Sequence, residues 1–365
     1  MKNTFGTNVL TTIFGESHGP AVGGVLDGLA PGIPVDPEQI KKKLALRRPQ
    51  GAISTSRVEE DEFEIVSGVF EGRTTGTPLC LLIPNKNVRP GDYDAVRDLA
   101  RPGHADYSGF VKYRGFADYR GGGHFSGRVT AAPVALGAIA ETALELRGIR
   151  IGTHISRLAG IPDRSFADLD ADIATLSDRP FPVLDEGVAD KMQAAILSAK
   201  EDLDSVGGVL ETVVTGLPAG VGEPWFDTLE GLLSHALFSI PGVKGVEFGD
   251  GFSLSDMRGS EANDAFAPKD GGIVTKTNHN GGINGGISNG MPLLFRCAVK
   301  PTPSIARPQT TVDLRTGQPA ELSIPGRHDP AIVHRARAVV DAVTALVLCD
   351  VLAGRFGADW LGGTK

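Results

Sequence analysis

Cysteine is scarce in this chain: Cys80, Cys297 and Cys349 are the only three in 365 residues, far apart and in no metal-binding spacing. A disulfide framework and a cysteine-rich zinc module are thereby excluded. Cys80 and Cys349 lie in apolar runs and read as buried thiols. The odd count, without a signal-peptide pattern, points to the cytoplasm. Excess positive charge is missing too. Thirty-six basic side chains stand against 44 acidic ones, a net charge of −8, which argues against nucleic acid as a partner. No apolar run reaches membrane-spanning length; the stretch 342–352 is interrupted by Asp350, so no membrane association is expected. There is no repeat, no low-complexity tail and no clear linker. Also absent are Gly-Lys-Ser/Thr and paired histidines one helical turn apart. Those absences leave a P-loop nucleotide site without support. His104 with Asp106 and His328 with Asp329 offer metal donors but match no familiar spacing, so no metal is expected.

What is present is glycine and proline, 48 and 24 residues, beside 41% apolar residues. That mixture describes a compact, loop-rich enzyme with a large core. Strands are expected at 9–14, 64–70, 78–83, 207–217, 242–248 and 292–299. Asp36-Pro37-Glu38-Gln39 combines an N-cap, a proline at N1 and a capping-box glutamine. It predicts a helix to about residue 46 that delivers Arg47 and Arg48 at its end. Further helices are expected at 131–146, 185–203, 229–238 and 331–354. Residues 85–115 read as one long loop. Weak alternation of strand and helix signals favours an α+β body over a doubly wound sheet.

The most informative stretch is Arg120-Gly-Gly-Gly-His-Phe-Ser-Gly-Arg128. Three bare glycines admit close approach to the main chain, and a helix follows, so either a phosphate site or a tight structural turn is indicated. His18, His104 and His328 sit in short polar, glycine-containing contexts suited to proton transfer. Ser17 precedes His18, but neighbours rarely point at one another, so a nucleophile pair is not read there. His154 and His235 read as structural. Arg47, Arg48, Arg57, Arg101, Arg120, Arg128 and Arg327 flank Gly, Pro or Ser/Thr motifs, and their guanidinium forks suit phosphates and carboxylates.

Eight motifs in order resemble the chorismate synthase family. They are Phe14-Gly-Glu-Ser-His-Gly19, Ser67-Gly-Val-Phe-Glu-Gly-Arg-Thr-Thr-Gly-Thr77, Arg101-Pro-Gly-His-Ala-Asp106, Asp118-Tyr-Arg-Gly-Gly-Gly123, Val243-Lys-Gly-Val-Glu247, Gly281-Gly-Ile-Asn-Gly-Gly-Ile-Ser288, Lys300-Pro-Thr-Pro-Ser304 and Gly326-Arg-His-Asp-Pro330. The resemblance implies an α+β fold with helices sandwiched between antiparallel β-sheets. It implies one domain over 1–365, with long active-site loops near 47–57, 85–115 and 300–330. The implied reaction is a 1,4-elimination of phosphate from 5-enolpyruvylshikimate 3-phosphate, giving chorismate, with reduced FMN as cofactor. A homotetramer and an external flavin reductant are also expected, with NADPH as an optional reductant. By position, His18, aided by Ser17, would protonate the departing phosphate. His104 would set the protonation of reduced flavin, and Asp329 would lie near flavin N5 and help relay the C6 hydrogen. His124, Phe125, Ser126, Gly285, Lys300, Pro301, Thr302, Pro303, Ser304 and Arg327 would hold FMN. Arg47, Arg48, Arg57, Arg101 and Arg128 would bind substrate or NADPH. The chain departs from the commoner family form at His124-Phe-Ser-Gly-Arg-Val-Thr130 and across 50–57. A phosphate-binding transferase or kinase, and a non-catalytic flavin scaffold, are the rival readings.

Overall fold

The computed structural model describes residues 2–49, 51–55, 59–86, 97–269, 271–324 and 329–363. Arg57, Arg327 and His328 lie outside the described residues. The first half of the chain holds β1 (Thr4–Phe5), β2 (Leu10–Gly15), β3 (Ala21–Asp27), α1 (Pro37–Arg47), β4 (Glu64–Ser67), the small pair β5 (Val69–Phe70) and β6 (Arg73–Thr74), β7 (Leu79–Pro84), α2 (Asp106–Lys112) and α3 (Ala131–Glu145). Next come β8 (Arg150–Leu158), β9 (Ile161–Pro162), α4 (Leu169–Leu176), α5 (Glu186–Glu201), β10 (Gly208–Thr215), α6 (Leu229–Leu237) and β11 (Val243–Phe248). The chain closes with α7 (Gly259–Ala262), β12 (Phe266–Lys269), β13 (Gly272–Thr275), β14 (Ile283–Asn284), β15 (Ile287–Ser288), β16 (Leu293–Val299), β17 (Gln309–Val312), β18 (Pro319–Leu322) and α8 (Val333–Phe356).

Two five-stranded antiparallel sheets form, in the orders β1-β2-β3-β7-β4 and β11-β16-β10-β8-β9. Helix α3 packs on β3 and β7 of the first sheet, and α8 packs on β8 and β10 of the second. The two helices also pack on each other, so helices fill the space between the sheets as expected. Their sequences explain this position. α3 is built of Ala, Val, Leu, Ile and Gly on nearly every face, and α8 is buried almost throughout from Val333 to Ala353. A helix apolar all round belongs inside. The crossing is close because Gly137 has no side chain: a Cβ there would stand 2.6 Å from Ala342 Cα.

Local chemistry accounts for the ends and breaks. Asp36 Oδ1 accepts from the Glu38 amide at 2.9 Å and starts α1 behind Pro37 at N1. The strand expected over 64–70 breaks at Gly68, whose φ of 84° and contact with Leu79 leave no place for a Cβ. Among the described residues of the expected loop 85–115, α2 forms. The turn at 283–288 closes a two-residue-strand hairpin through Gly285 and Gly286, both at positive φ. The C-terminal helix begins at Val333 after Ile332 with no side-chain cap, so Asp329 does not cap it.

One polar ladder crosses the second sheet. His154 on β8 stands opposite Glu211 on β10, which stands opposite Arg296 on β16, which stands opposite Glu247 on β11. His154 donates from Nδ1 to Asp163 at 2.9 Å and from Nε2 to Glu211 at 3.1 Å. Burial alone would push the imidazole pKa down, but the two carboxylates outweigh it and hold His154 above its ordinary value.

Two outcomes follow. The folded-state pKa of His154 is raised, so its stabilisation is complete below about pH 6.5 and fades as pH rises through the raised value. The urea midpoint gap between wild type and His154→Gln should therefore shrink from about pH 6 towards about pH 9. A gap that is flat or grows over that range contradicts the charged-imidazole account. For Gly137→Ala, better helix propensity offers about 1 kcal/mol. Forcing α3 and α8 apart costs about 1–3 kcal/mol and wins, so a lower Tm is expected. An unchanged or raised Tm would mean the helices can slide without loss.

Candidate active site

The glycine run 121–123 is the hub of the site. All three residues adopt positive φ, at 58°, 85° and 53°. Gly121 lies against Ser17 and His18: a Cβ would meet His18 Nδ1 at 2.5 Å and Ser17 Oγ at 2.7 Å. Gly122 lies against His104: a Cβ there would stand 3.1 Å from Cε1 and 3.3 Å from Nε2. A Cβ at Gly123 would collide with the Asp118 carbonyl, and the Gly123 carbonyl accepts from the Ser17 amide at 3.1 Å. The bare backbone expected to admit an anion is thus covered on these faces by the two histidines.

Each ring is oriented by a neighbour. Ser17 Oγ donates to the Arg120 carbonyl at 3.1 Å and receives His18 Nδ1–H at 2.9 Å. Adjacent residues do meet here, contrary to the general expectation, because Ser17 and His18 sit in the tight turn after β2. Their bond serves to orient the ring. His104 Nδ1 donates to Asp106 Oδ1 at 2.7 Å, which turns the Cε1–Nε2 edge towards Gly122. Burial would raise the Asp106 pKa, but hydrogen bonds from Arg101 and His104 hold it far below the usual carboxylate range. Arg101 grips Asp106 with Nε at 2.8 Å and Nη2 at 2.7 Å, and reaches Ser304 Oγ at 3.4 Å.

The 300–304 loop closes on this group. Lys300 Nζ donates to the Gly103 carbonyl, and Gly103 faces Pro303. The Thr302 hydroxyl and the Gln309 side-chain nitrogen are buried without a hydrogen-bond partner. Unsatisfied buried polar atoms of this kind are rare. A Cβ at Gly285 would meet nothing within 4 Å, and the same turn packs Gly286 on Thr228 and Glu223. His124 Nδ1 donates to the Gly15 carbonyl at 2.7 Å, Phe125 packs on Gly109 and Tyr113, and Ser126 accepts from the Arg128 amide. These three residues therefore brace the turn from β2 to α3.

The arginines form a second group. Arg47 donates through both terminal nitrogens to Glu59 Oε2, at 3.0 and 2.7 Å. Arg128 binds Asp61 and also Glu59, at 3.4 Å for the latter, while Arg48 reaches Asp61 at 3.4 Å and the Glu60 carbonyl. The side chains of Arg47 and Arg128 are 3% and 6% exposed, whereas Arg48 is 29% exposed. Only Arg48 among the three offers a free flank to a ligand. Asp61 is itself buried, and although burial raises its pKa, the charges of Arg47 and Arg128 bring it below the ordinary value. Arg120 is occupied by Asp118.

Two residues tie the groups together. Asn85 donates to the Glu16 and Gly19 carbonyls at 2.9 Å each and accepts from Arg128 Nε at 2.9 Å. It joins the His18 turn to the arginines. Arg335 binds the Asp329 carboxylate and donates from Nε to the Arg47 carbonyl at 2.7 Å. Asp329 Oδ1 also accepts from the Thr55 amide at 2.9 Å. Behind them His334 meets Ser54 Oγ at 3.0 Å, and burial lowers its pKa to about 4, which keeps it neutral. Sequence reasoning did not find Asn85, Glu59, Asp61 or Arg335. The sequence held no local signal for them, because each acts on a partner distant along the chain or lies in an ordinary acidic stretch. Among the described residues no three His, Cys, Asp or Glu side chains form a metal-sized cluster.

Comparison with known proteins bears on this arrangement. The family model described as chorismate synthase matches residues 9–353. The chain is 48% identical over 349 residues to the chorismate synthase of Methanocella arvoryzae, covering 95% of this chain and 93% of that one. It is 47% identical over 344 residues to that of Pyrococcus abyssi, covering 94% and 96%. A crystal structure of chorismate synthase superimposes with a TM-score of 0.77 at 28% identity, over 97% of this chain and 94% of that one. The chain belongs to the chorismate synthase family.

Proposed function

We propose that this cleft converts 5-enolpyruvylshikimate 3-phosphate to chorismate and phosphate. The observation that carries the reading is the seating of His18 and His104 against adjacent glycines of one run, each ring oriented by its own partner. Reduced FMN, when bound, supplies the transient electron that lets a C3–O bond break and a non-acidic C6 hydrogen leave without net redox change. The residues do the rest. His18, with its Nδ1 proton held on Ser17, delivers a proton from Nε2 to the departing phosphate. His104, fixed by Asp106, holds a proton at Nε2 towards the flavin side. Asp329, steadied by Thr55 and Arg335, takes up the C6 proton. Lys300, Pro301, Thr302, Pro303, Ser304 and Gly285 hold the flavin, with Arg327, and with His124, Phe125 and Ser126 as bracing. Arg48 and Arg101 meet the substrate's anionic groups, joined by Arg57, while Arg47 and Arg128, paired with Glu59 and Asp61, hold that arginine group in place. A kinase or transferase reading has no feature in its favour here.

An external flavin reductant, NADPH among them, a cytoplasmic setting and homotetrameric assembly belong to the same proposal. Self-association is supported by large apolar side chains at the surface, including Trp225 at 86% and Phe226 at 93% exposure. No helix among the described residues is long and apolar enough to cross a membrane.

Purified protein given reduced FMN and the enolpyruvyl substrate without oxygen should release chorismate with no need for ATP. Absence of chorismate under those conditions would sink the reading. In Asp329→Asn the amide oxygen still accepts from Thr55, so the fold and FMN affinity should persist. Turnover should fall roughly 10²–10⁴-fold if proton transfer limits it. Full turnover would leave Asp329 an anchoring role alone. Arg128→Ala separates two views of the arginines. Stranding the buried Asp61 carboxylate costs about 3–5 kcal/mol, so a large fall in Tm is expected. A raised KM at unchanged Tm would instead make Arg128 a direct substrate fork.

A further inference from the structure

Strand β7 ends at Pro84, which pairs with Ala21 on β3, and the next residue continues that pairing: the Asn85 amide donates to the Pro20 carbonyl at 3.0 Å. The backbone of Asn85 is thereby fixed beside the turn from Glu16 to Gly19, which carries Ser17 and His18. That turn has one closing bond of its own, from the Gly19 amide to the Glu16 carbonyl at 3.1 Å. The Asn85 side chain spans it. Nδ2 donates to the Glu16 and Gly19 carbonyls, at 2.9 Å each, and Oδ1 accepts from Arg128 Nε at 2.9 Å.

Two acceptors on one flank and a donor on the other leave one orientation for the amide and one class of side chain. A carboxylate has no hydrogen for either carbonyl, and a hydroxyl has only one. Both ends of this brace are firm. The Arg128 side chain is 6% exposed and held by Asp61 and Glu59. His18 is 7% exposed, and the Ser17 amide before it is held by the Gly123 carbonyl at 3.1 Å. The His18 turn is thus secured by the glycine run on one side and by Asn85 on the other.

We infer that Asn85 is a positioning residue for His18. Its amide fixes the main chain before and after the ring, which sets where Nε2 delivers its proton. The inference rests on the reading of His18 as the acid that meets the departing phosphate. Geometry matters here because a displacement on the order of 1 Å costs about 10²-fold in rate. Asn85 acts through the turn, not on the substrate.

Two variants separate the halves of the amide. Asn85→Asp keeps an acceptor for Arg128 and loses both donors. Asn85→Ala loses all three bonds and adds no charge. In anaerobic assays with reduced FMN, kcat should fall roughly 10–10²-fold in both, with the affinity for reduced FMN unchanged. The solvent deuterium isotope effect on kcat should rise, because proton delivery becomes the slow step; general loosening of the fold does not produce that change. In a His18→Ala background either substitution should cost little more, since residues that act as a unit are not additive. Wild-type kcat in Asn85→Asp would overturn the inference. An undiminished loss in the His18→Ala background would do so too, as would a lower kcat with an unchanged isotope effect. Loss of the folded circular dichroism spectrum in both variants would make Asn85 a residue of the fold and overturn it equally. Failure of the wild type itself to form chorismate is a separate result, and it overturns the reading of the reaction on which the role of Asn85 rests.

Discussion

The site depends on one steric fact: no side chain fits at Gly121 or Gly123, and one at Gly122 would press on His104. Left-handed backbone at three successive residues is strained for anything but glycine, and here the space is also filled from outside. His18, from the turn after β2, overlaps the Cβ position of Gly121, and His104, from the loop before α2, packs closely on that of Gly122. The third glycine is tied to the Ser17 amide and meets the Asp118 carbonyl. Two proton-carrying rings from segments 86 positions apart, at residues 18 and 104, are brought to one backbone turn.

Charge is handled by pairing. Arg47 and Arg128 lie under cover with Glu59 and Asp61, and Arg101 is locked on Asp106. Such pairs are costly to bury and hard to break, so they hold the neighbouring elements in place. Asn85 and Arg335 extend the same logic with hydrogen bonds to main-chain carbonyls, linking the His18 turn, the end of α1 and Asp329. The positive field expected from the arginine-rich motifs is therefore moderated by carboxylates that supply order.

The helix layer connects this centre to the rest of the molecule. α8 carries His334 and Arg335 in its first turn, Arg337 in the second, and Asp341 with the α3 contact at Ala342 in the third. One buried helix thus touches the site, the buried Arg337–Asp341 pair and the central crossing in sequence. Close packing makes such an element stiff.

Much of this was legible in the chain itself. The cap-and-proline start of α1, the uniformly apolar α3 and α8, and the strands β10, β11 and β16 follow from local pattern, whereas β8 was not among the expected strands. The motifs that carry His18, His104 and Asp329 were visible as polar interruptions rich in glycine. Pattern could not show that Gly68 breaks a strand, that Asp329 faces Thr55 and Arg335 instead of capping α8, or that Arg47 and Arg128 are spent on Glu59 and Asp61. Those outcomes rest on partners brought from distant segments. Residue types and their local order determined which elements form and which side chains could do chemistry. Tertiary packing alone decided which of those side chains meet, because hydrogen bonds and ion pairs require contact within a few ångströms, and no local pattern encodes that distance.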